Sequence, residues 1–189
     1  MTYSIGTYTT GTGLMASQAT TTLTGNGTTF TTEVVAGDEI VIGTQMATVI
    51  SVTDNTHLTI EAGITFSPTP NNTAYSIFHP TALPVQPRSQ YAPGGERAIA
   101  GSGKLTYQGY ARSLWNFDYL TVAQWGSLKD LVAEGGFSGT GYVITRTDED
   151  VWALYRVISR FPEPEQLKRW GGGYETIEIE LILVQVIAT

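Results

Sequence analysis

The chain has 189 residues, of which 41% are hydrophobic and 11% aromatic but only 14% charged, against about 25% charged in an ordinary globular domain. That length suits one domain or two small ones, and the apolar content excludes a disordered chain. With no cysteine, disulfides, thiolate nucleophiles and cysteine metal sites are excluded, leaving His57 and His79 for metal or acid-base chemistry.

The longest apolar run, near Leu181 to Ile187, is too short to span a bilayer, so no membrane association is expected. Met1-Thr2-Tyr3-Ser4 has neither a basic n-region nor an apolar h-region, so no secretion signal is expected either. The net charge is −7, and its distribution is uneven. No Lys or Arg precedes Arg88, while Glu33, Asp38, Glu39, Asp54 and Glu61 make the first part purely anionic. From Arg88 onward, ten basic residues face twelve acidic ones. A surface of this kind does not neutralise phosphates, so specific nucleic-acid binding is not expected. DNA could pass it without sticking.

From Thr7 to about Phe78 the chain is Thr- and Gly-rich without helical periodicity. Thr20 to Thr24 runs into the turn Gly25-Asn26-Gly27, and Phe30 to Val35 leads to a second turn at Gly37-Asp38. Residues 39–42, 47–52, 57–60 and 74–78 read as strands, with Asp54-Asn55 as a turn between two of them. Threonine suits such strands because its branched β-carbon fits a pleated, half-exposed surface. The spacing predicts a small all-β domain over residues 1–79. Pro80, Pro84, Pro87 and Pro93, followed by Gly94-Gly95, predict a stiff extended connector over 80–103. A long ordered loop inside a single larger fold is the alternative.

The second segment, 104–189, predicts strands on both sides of one helix, an α+β sandwich. Lys104 to Tyr110 and Arg112 to Phe117 read as extended. Thr121 as N-cap, Gln124 three residues on, and Leu120 placed against Trp125 mark a helix over 121–134, ended by Gly135-Gly136. Trp125, Leu128, Leu131 and Val132 fall on one face of it. Gly141 to Thr147 and Val151 to Phe161 read as a hairpin tipped by Asp148-Glu149-Asp150, ended by Pro162 and Pro164. Residues 176–180 alternate, whereas 181–184 do not, which predicts one wet face giving way to two covered ones.

Motifs for chemistry are weak. Gly101-Ser102-Gly103-Lys104 has Ala98 where a phosphate loop needs glycine and Leu105 where it needs Ser or Thr, so a plain turn is expected. Gly136 to Thr140 fails as a nucleophile elbow because Thr140 replaces glycine and a helix precedes it. Asp148-Glu149-Asp150 offers clustered carboxylates to calcium without the EF-hand spacing, and reads as a hydrated hairpin tip. Glu163 and Glu165 could mimic a glycosidase pair but lie in a proline-rich loop. Trp115, Phe117, Tyr119, Trp125, Trp152, Tyr155 and Phe161 could stack on sugars or bases, yet read first as packing between helix and sheet. His57 and His79 read as surface or boundary residues. No catalytic residue, metal ligand or cofactor site is expected, and the chain is not expected to be an enzyme.

Residues 19–30, ATTTLTGNGTTF, with 34–40 and 49–60, resemble a small β module of tailed-bacteriophage virion proteins, covering about residues 7–78. Trp115-Asn116-Phe117, Leu120 to Trp125, Gly141 to Thr147 and Ile177 to Val184 resemble the tail-tube-like domain of phage tails. The resemblance implies a β-sandwich with one flanking helix, closing into hexameric rings whose stack makes a channel for DNA, with no catalytic residues. The family's long stacking loop has one candidate here, Pro80 to Gly103, which leaves open a tube ring or another ring of the neck or tail tip. The expected function is therefore a non-enzymatic structural component of a phage tail, located in the virion and made in the host cytoplasm. Its partners would be its own copies and neighbouring tail proteins. The alternatives are a fibre adaptor or glycan-binding virion protein, or a neck or head decoration protein. The composition agrees: few charges and long strands with few lysines leave edges suited to pairing with identical neighbours.

Overall fold

A computed structural model of the chain describes residues 1–92, 96–99, 105–134, 141–147, 151–162 and 166–189. The architecture is mainly β, built from antiparallel ladders, with two short helices among the described residues. It divides into two compact units, one formed by residues 6–80 with 188–189, the other by 1–5 with 81–187.

The first unit takes up β1 (Ser4–Thr10) from its third residue, then β2 (Leu14–Ala19), β3 (Thr22–Asn26), the one-turn helix α1 (Phe30–Glu33), β4 (Glu39–Ile42), β5 (Gln45–Val52), β6 (His57–Ile60) and most of β7 (Ser76–Ala82). Its ladder order is β2-β3-β6-β5-β4-β7-β1. Two-residue turns set the registers. Ile42 pairs with Gln45 across Gly43, whose φ of 64 a two-residue hairpin turn favours. Alternation places Leu23, Leu58, Ile60, Ile40, Val49 and Ile77 in one core, where each fully buried side chain contributes roughly 1.5–3 kcal/mol. The all-β expectation gives way at one turn. Thr29 O accepts from Glu33 N at 3.2 Å and from the Thr32 hydroxyl at 2.9 Å, and Val34 N donates to Phe30 O at 2.9 Å. That turn puts Phe30 and Val34, four residues apart, into the same core.

The second unit holds β8 (Arg88–Ala92), β9 (Glu96–Ile99), β10 (Leu105–Gln108), β11 (Ala111–Thr121), α2 (Val122–Glu134), β12 (Gly141–Arg146), β13 (Trp152–Arg160), β14 (Lys168–Trp170) and β15 (Gly173–Ala188) up to Ile187. The ladder order is β12-β13-β15-β11-β8, with β14 beside β15, while β9 and β10 pair separately. The inner faces of β11 and β15 carry Trp115 and Phe117, and Ile177, Ile179 and Leu181, against which Trp125 and Leu128 of α2 are buried.

The helix begins as its sequence predicts. Thr121 N donates to Gln124 Oε1 at 2.9 Å, and Gln124 N donates to Thr121 Oγ1 at 3.2 Å, a reciprocal capping box. Leu120 before it and Trp125 within it are both buried in the same core. Gly173, opposite Thr121 on β15, is required by close approach, since a Cβ there would lie 2.2 Å from Leu120 O.

The sheet curls. β12 and β11 stand three ladders apart, yet Thr145 Oγ1 of β12 lies 3.1 Å from Ser113 Oγ and accepts from Trp115 Nε1 at 3.1 Å. Ser113 Oγ lies 3.1 Å from Ser89 Oγ, which carries the chain of hydroxyls on to β8. Twist alone brings sheet ends round in this way, but the buried polar chain fixes how far.

Two local expectations change. The proline-rich stretch is not all extended connector: β7 runs through Pro80 to Ala82, and β8 pairs with β11 from Arg88↔Asn116 to Ala92↔Arg112. Pro84 and Pro87 fall between those strands, where no ladder donor is lost, while Pro93 to Gly95 lie outside the described residues. The second covered face of β15 is incomplete. Leu181 and Leu183 are buried but Ile182 and Val184 only half-buried, because the strand keeps its core side chains on one face.

Replacing Thr145 with Val should strand the buried Trp115 donor and cost about 1–3 kcal/mol in denaturant unfolding. Adding Trp115→Phe should cost less than the sum of the two single changes, and strict additivity would refute the coupling. Thr121→Ala should cost about 1 kcal/mol, with helical circular dichroism lost at lower temperature.

Candidate functional site

One polar surface of the second unit is an open cavity of about 450 Å³ lined by Arg160, Phe161, Pro162, Gln166, Thr176, Glu178 and Glu180. Alternation along β15 explains it: Ile177 and Ile179 point to the core, so Glu178 and Glu180 point away from it. Antiparallel register sets Leu114 opposite Glu180, and Arg112 two residues back reaches it diagonally, Nη1 to Oε1 at 2.7 Å. Arg160 Nη1 approaches the other oxygen at 3.6 Å. Glu180 is thus held between two cations in a half-exposed network that orders the face. Thr176 lies at φ 51, an unusual value for a β-branched residue.

The first unit gathers its carboxylates differently. Asp38 Oδ2 accepts from Val35 N at 2.8 Å and lies 2.9 Å from His79 Nδ1. Neighbouring Glu39 is buried, and the Thr48 hydroxyl lies 2.9 Å from Glu39 Oε1 and 3.2 Å from Glu61 Oε1. Glu39 Oε2 has no hydrogen-bond partner. Burial pushes the Glu39 carboxyl up to about 7; the Thr48 bond opposes this, and the charges of Glu61 and Asp38 add to it. At the far turn, Thr56 N and the Thr56 hydroxyl hold Asp54 down to about 2, with His57 Nδ1 3.0 Å away. For Glu33, burial acts upward, but hydrogen bonds led by those from the Thr12 hydroxyl and amide win and lower it. Burial and the Glu33 charge push the Tyr75 hydroxyl up. Among the described residues no group of three or more His, Asp or Glu side chains is arranged to hold a metal ion.

His57 is a surface residue at a turn, as its sequence context predicts, and His79 is half-buried against Asp38. His57 Nδ1 lies 3.0 Å from the Thr56 hydroxyl, and both meet Asp54 at that exposed turn. Trp115, Phe117, Trp125 and Tyr155 are core residues, as the packing interpretation expects, and Phe161 packs 5.7 Å from Trp125 ring to ring. Trp152 is half-buried between Tyr3, at 4.9 Å, and the Arg146 guanidinium, also at 4.9 Å. Tyr119 alone of that set is exposed. Trp115 is fully buried, so it has no face to offer a sugar. Gly101 to Lys104, Gly136 to Thr140, Asp148-Glu149-Asp150, and Glu163 and Glu165 all lie outside the described residues, as does the helix stop at Gly135-Gly136.

Sequence reasoning missed Trp170, the most exposed large hydrophobic residue among those described, at 67%. It ends the short strand β14, whose Arg169 guanidinium lies 6.0 Å from the Tyr174 ring. The signal was present as Lys168-Arg169-Trp170 followed by three glycines, a tip of base and aromatic on a tight turn. The chain matches no protein-family model, no curated protein and no solved structure.

Glu39 gives a pH dependence. The folded chain holds its proton up to about pH 7 and the unfolded chain only to about 4.5, so the stabilisation is complete below 4.5 and is lost as pH rises through 7. Glu39→Gln should remove that fall, raising the unfolding free energy above pH 7 by about 2–3 kcal/mol while changing little near pH 4.5. Urea titrations across that range check it, and parallel pH curves for the two proteins would refute it.

Proposed function

We propose that this chain is a non-enzymatic structural component of a bacteriophage tail that assembles with copies of itself into a ring or tube. The observation that supports it most is the edge strand β8. It ends the ladder order of the second unit, pairs with β11, and carries Arg88-Ser89-Gln90-Tyr91-Ala92 with no proline and one charge, Arg88, at its start, paired with Asp118. An edge of this kind is a template for another strand unless negative design protects it. By contrast β2, which ends the order of the first unit, is broken by a bulge at Met15/Ser17 and bridged from outside by Thr73.

The resemblance of residues 115–125, 141–147 and 177–184 to tail-tube-like domains agrees with this reading, as does a curled sheet with one helix packed on it. In that interpretation the second unit forms the ring wall as a β-sandwich with a flanking helix, and the Thr-rich first unit meets neighbouring tail proteins. DNA would pass as cargo, repelled by the cation-free unit. The charged face around Glu180 fits a wall surface, since paired charges leave no net field to trap a polyanion.

Negative-stain microscopy of the purified chain, with light scattering, tests the proposal. Closed rings or stacked tubes are the expected result. A mass of 20.4 kDa, that of one chain, persisting at high protein concentration would overturn it.

A further inference from the structure

Basic charge is segregated between the two units, and each has its own exposed apolar extreme. Residues 6–80 contain no Lys or Arg, and all ten cations lie at or beyond Arg88. The apolar extreme of the second unit is Trp170, with exposed Lys168 and Arg169 preceding it on β14. This tip is built rather than loose: Trp170 pairs with Gly173, Val122 N donates to Gly172 O at 3.2 Å, and Gly171 turns the chain at φ 57. An ordered, solvent-facing tryptophan beside an arginine is the composition of an interface anchor.

The apolar extremes of the first unit are Val35, 64% exposed, and Ile50, 56% exposed. They share one end of β5. Gly37 N donates to Val49 O at 2.8 Å and Val49 N to Asp38 O at 2.8 Å, which ties the Val35–Asp38 turn to the residue before Ile50. The register shift between Val49 and Ser51 leaves Ile50 outside the ladder. Glu61 N donates to Thr48 O at 2.9 Å, bringing a half-exposed carboxylate to the same stretch. The result is an apolar surface beside one half-exposed carboxylate, Glu61, on a unit without Lys or Arg.

We propose that the Trp170 hairpin tip of one copy docks on the Val35–Ile50 patch of a second copy, with Lys168 and Arg169 facing Glu61. This rests on the self-assembly reading and specifies its contact. Tip against tip would set cation against cation, and patch against patch acid against acid, so the complementary pairing joins unlike surfaces. Such a heterologous contact leaves each end of a growing assembly with one tip or one patch unused until a ring closes or a tube extends.

Two variants at exposed positions separate the halves of the contact. Trp170→Asp keeps an intact patch, and Ile50→Lys keeps an intact tip; thermal melts establish that each is folded, with Arg169→Glu replacing Trp170→Asp if that variant melts early. In sedimentation velocity each variant alone should associate at least about tenfold more weakly than the natural chain. An equimolar mixture should form a species of two copies and nothing larger, since each partner caps the other. A natural chain that assembles while both variants assemble equally well overturns this contact and leaves the ring reading standing. Variants that dissociate without forming the mixed pair overturn it too. A Trp170 that binds glycans, with assembly untouched by Trp170→Asp, does the same. A natural chain that never associates removes both the contact and the ring reading.

Discussion

The second unit depends on a buried indole that must donate its hydrogen bond. Trp115 is fully sealed, and an unpartnered N–H at that depth carries a penalty of a few kcal/mol. Thr145 meets it, and Ser113 and Ser89 extend the polar chain across the inner face. Because these side chains come from β12, β11 and β8, satisfying one donor fixes the curl of a whole sheet. The helix α2 then fills the remaining apolar face, with Trp125 and Leu128 in the same core as Trp115. A sheet held this way presents its outer face and its edge in a defined shape.

The first unit is held by different means. Its strands are short, its turns are set by glycine and threonine, and its acids are accommodated by hydroxyls, backbone amides and two histidines instead of Lys or Arg. Thr12, Thr48 and Thr56 hydrogen-bond to Glu33, to both Glu39 and Glu61, and to Asp54 respectively. The abundance of threonine is therefore electrostatic as well as conformational: it lets a unit without Lys or Arg retain its carboxylates. Glu39 is where the arrangement is weakest, with one oxygen left unpartnered.

Much of the fold was legible because its signals are local. The Thr121–Gln124 box, the strand at His57 to Ile60 and the hairpin of β12 and β13 depend on spacing, and the structure has all three. What was not legible depends on distant partners. Nothing near Thr145 in the sequence announces that it will meet Trp115, and nothing near Phe30 outweighs the threonines that disguise a helical turn. The proline-rich stretch misled for a related reason. Proline bars a residue from donating to a ladder, but β8 begins after Pro87 and so escapes the restriction. Trp170, a lone tryptophan on a glycine turn, has neither the helical nor the strand spacing that marks a buried aromatic.

The division of the chain has a topological consequence. Residues 1–5 belong with 81–187, whereas 188–189 belong with 6–80, where Thr189 N donates to Thr44 O at 3.0 Å. Neither unit is a continuous stretch of polypeptide, so no single cut excises one whole. A fragment ending at residue 80 would carry Ile5 without the core it fills, and its remainder would keep Thr189 with nothing to receive it. Tension applied at the two termini would therefore enter each unit through the short segment it contributes to the other's sequence, loading both at once.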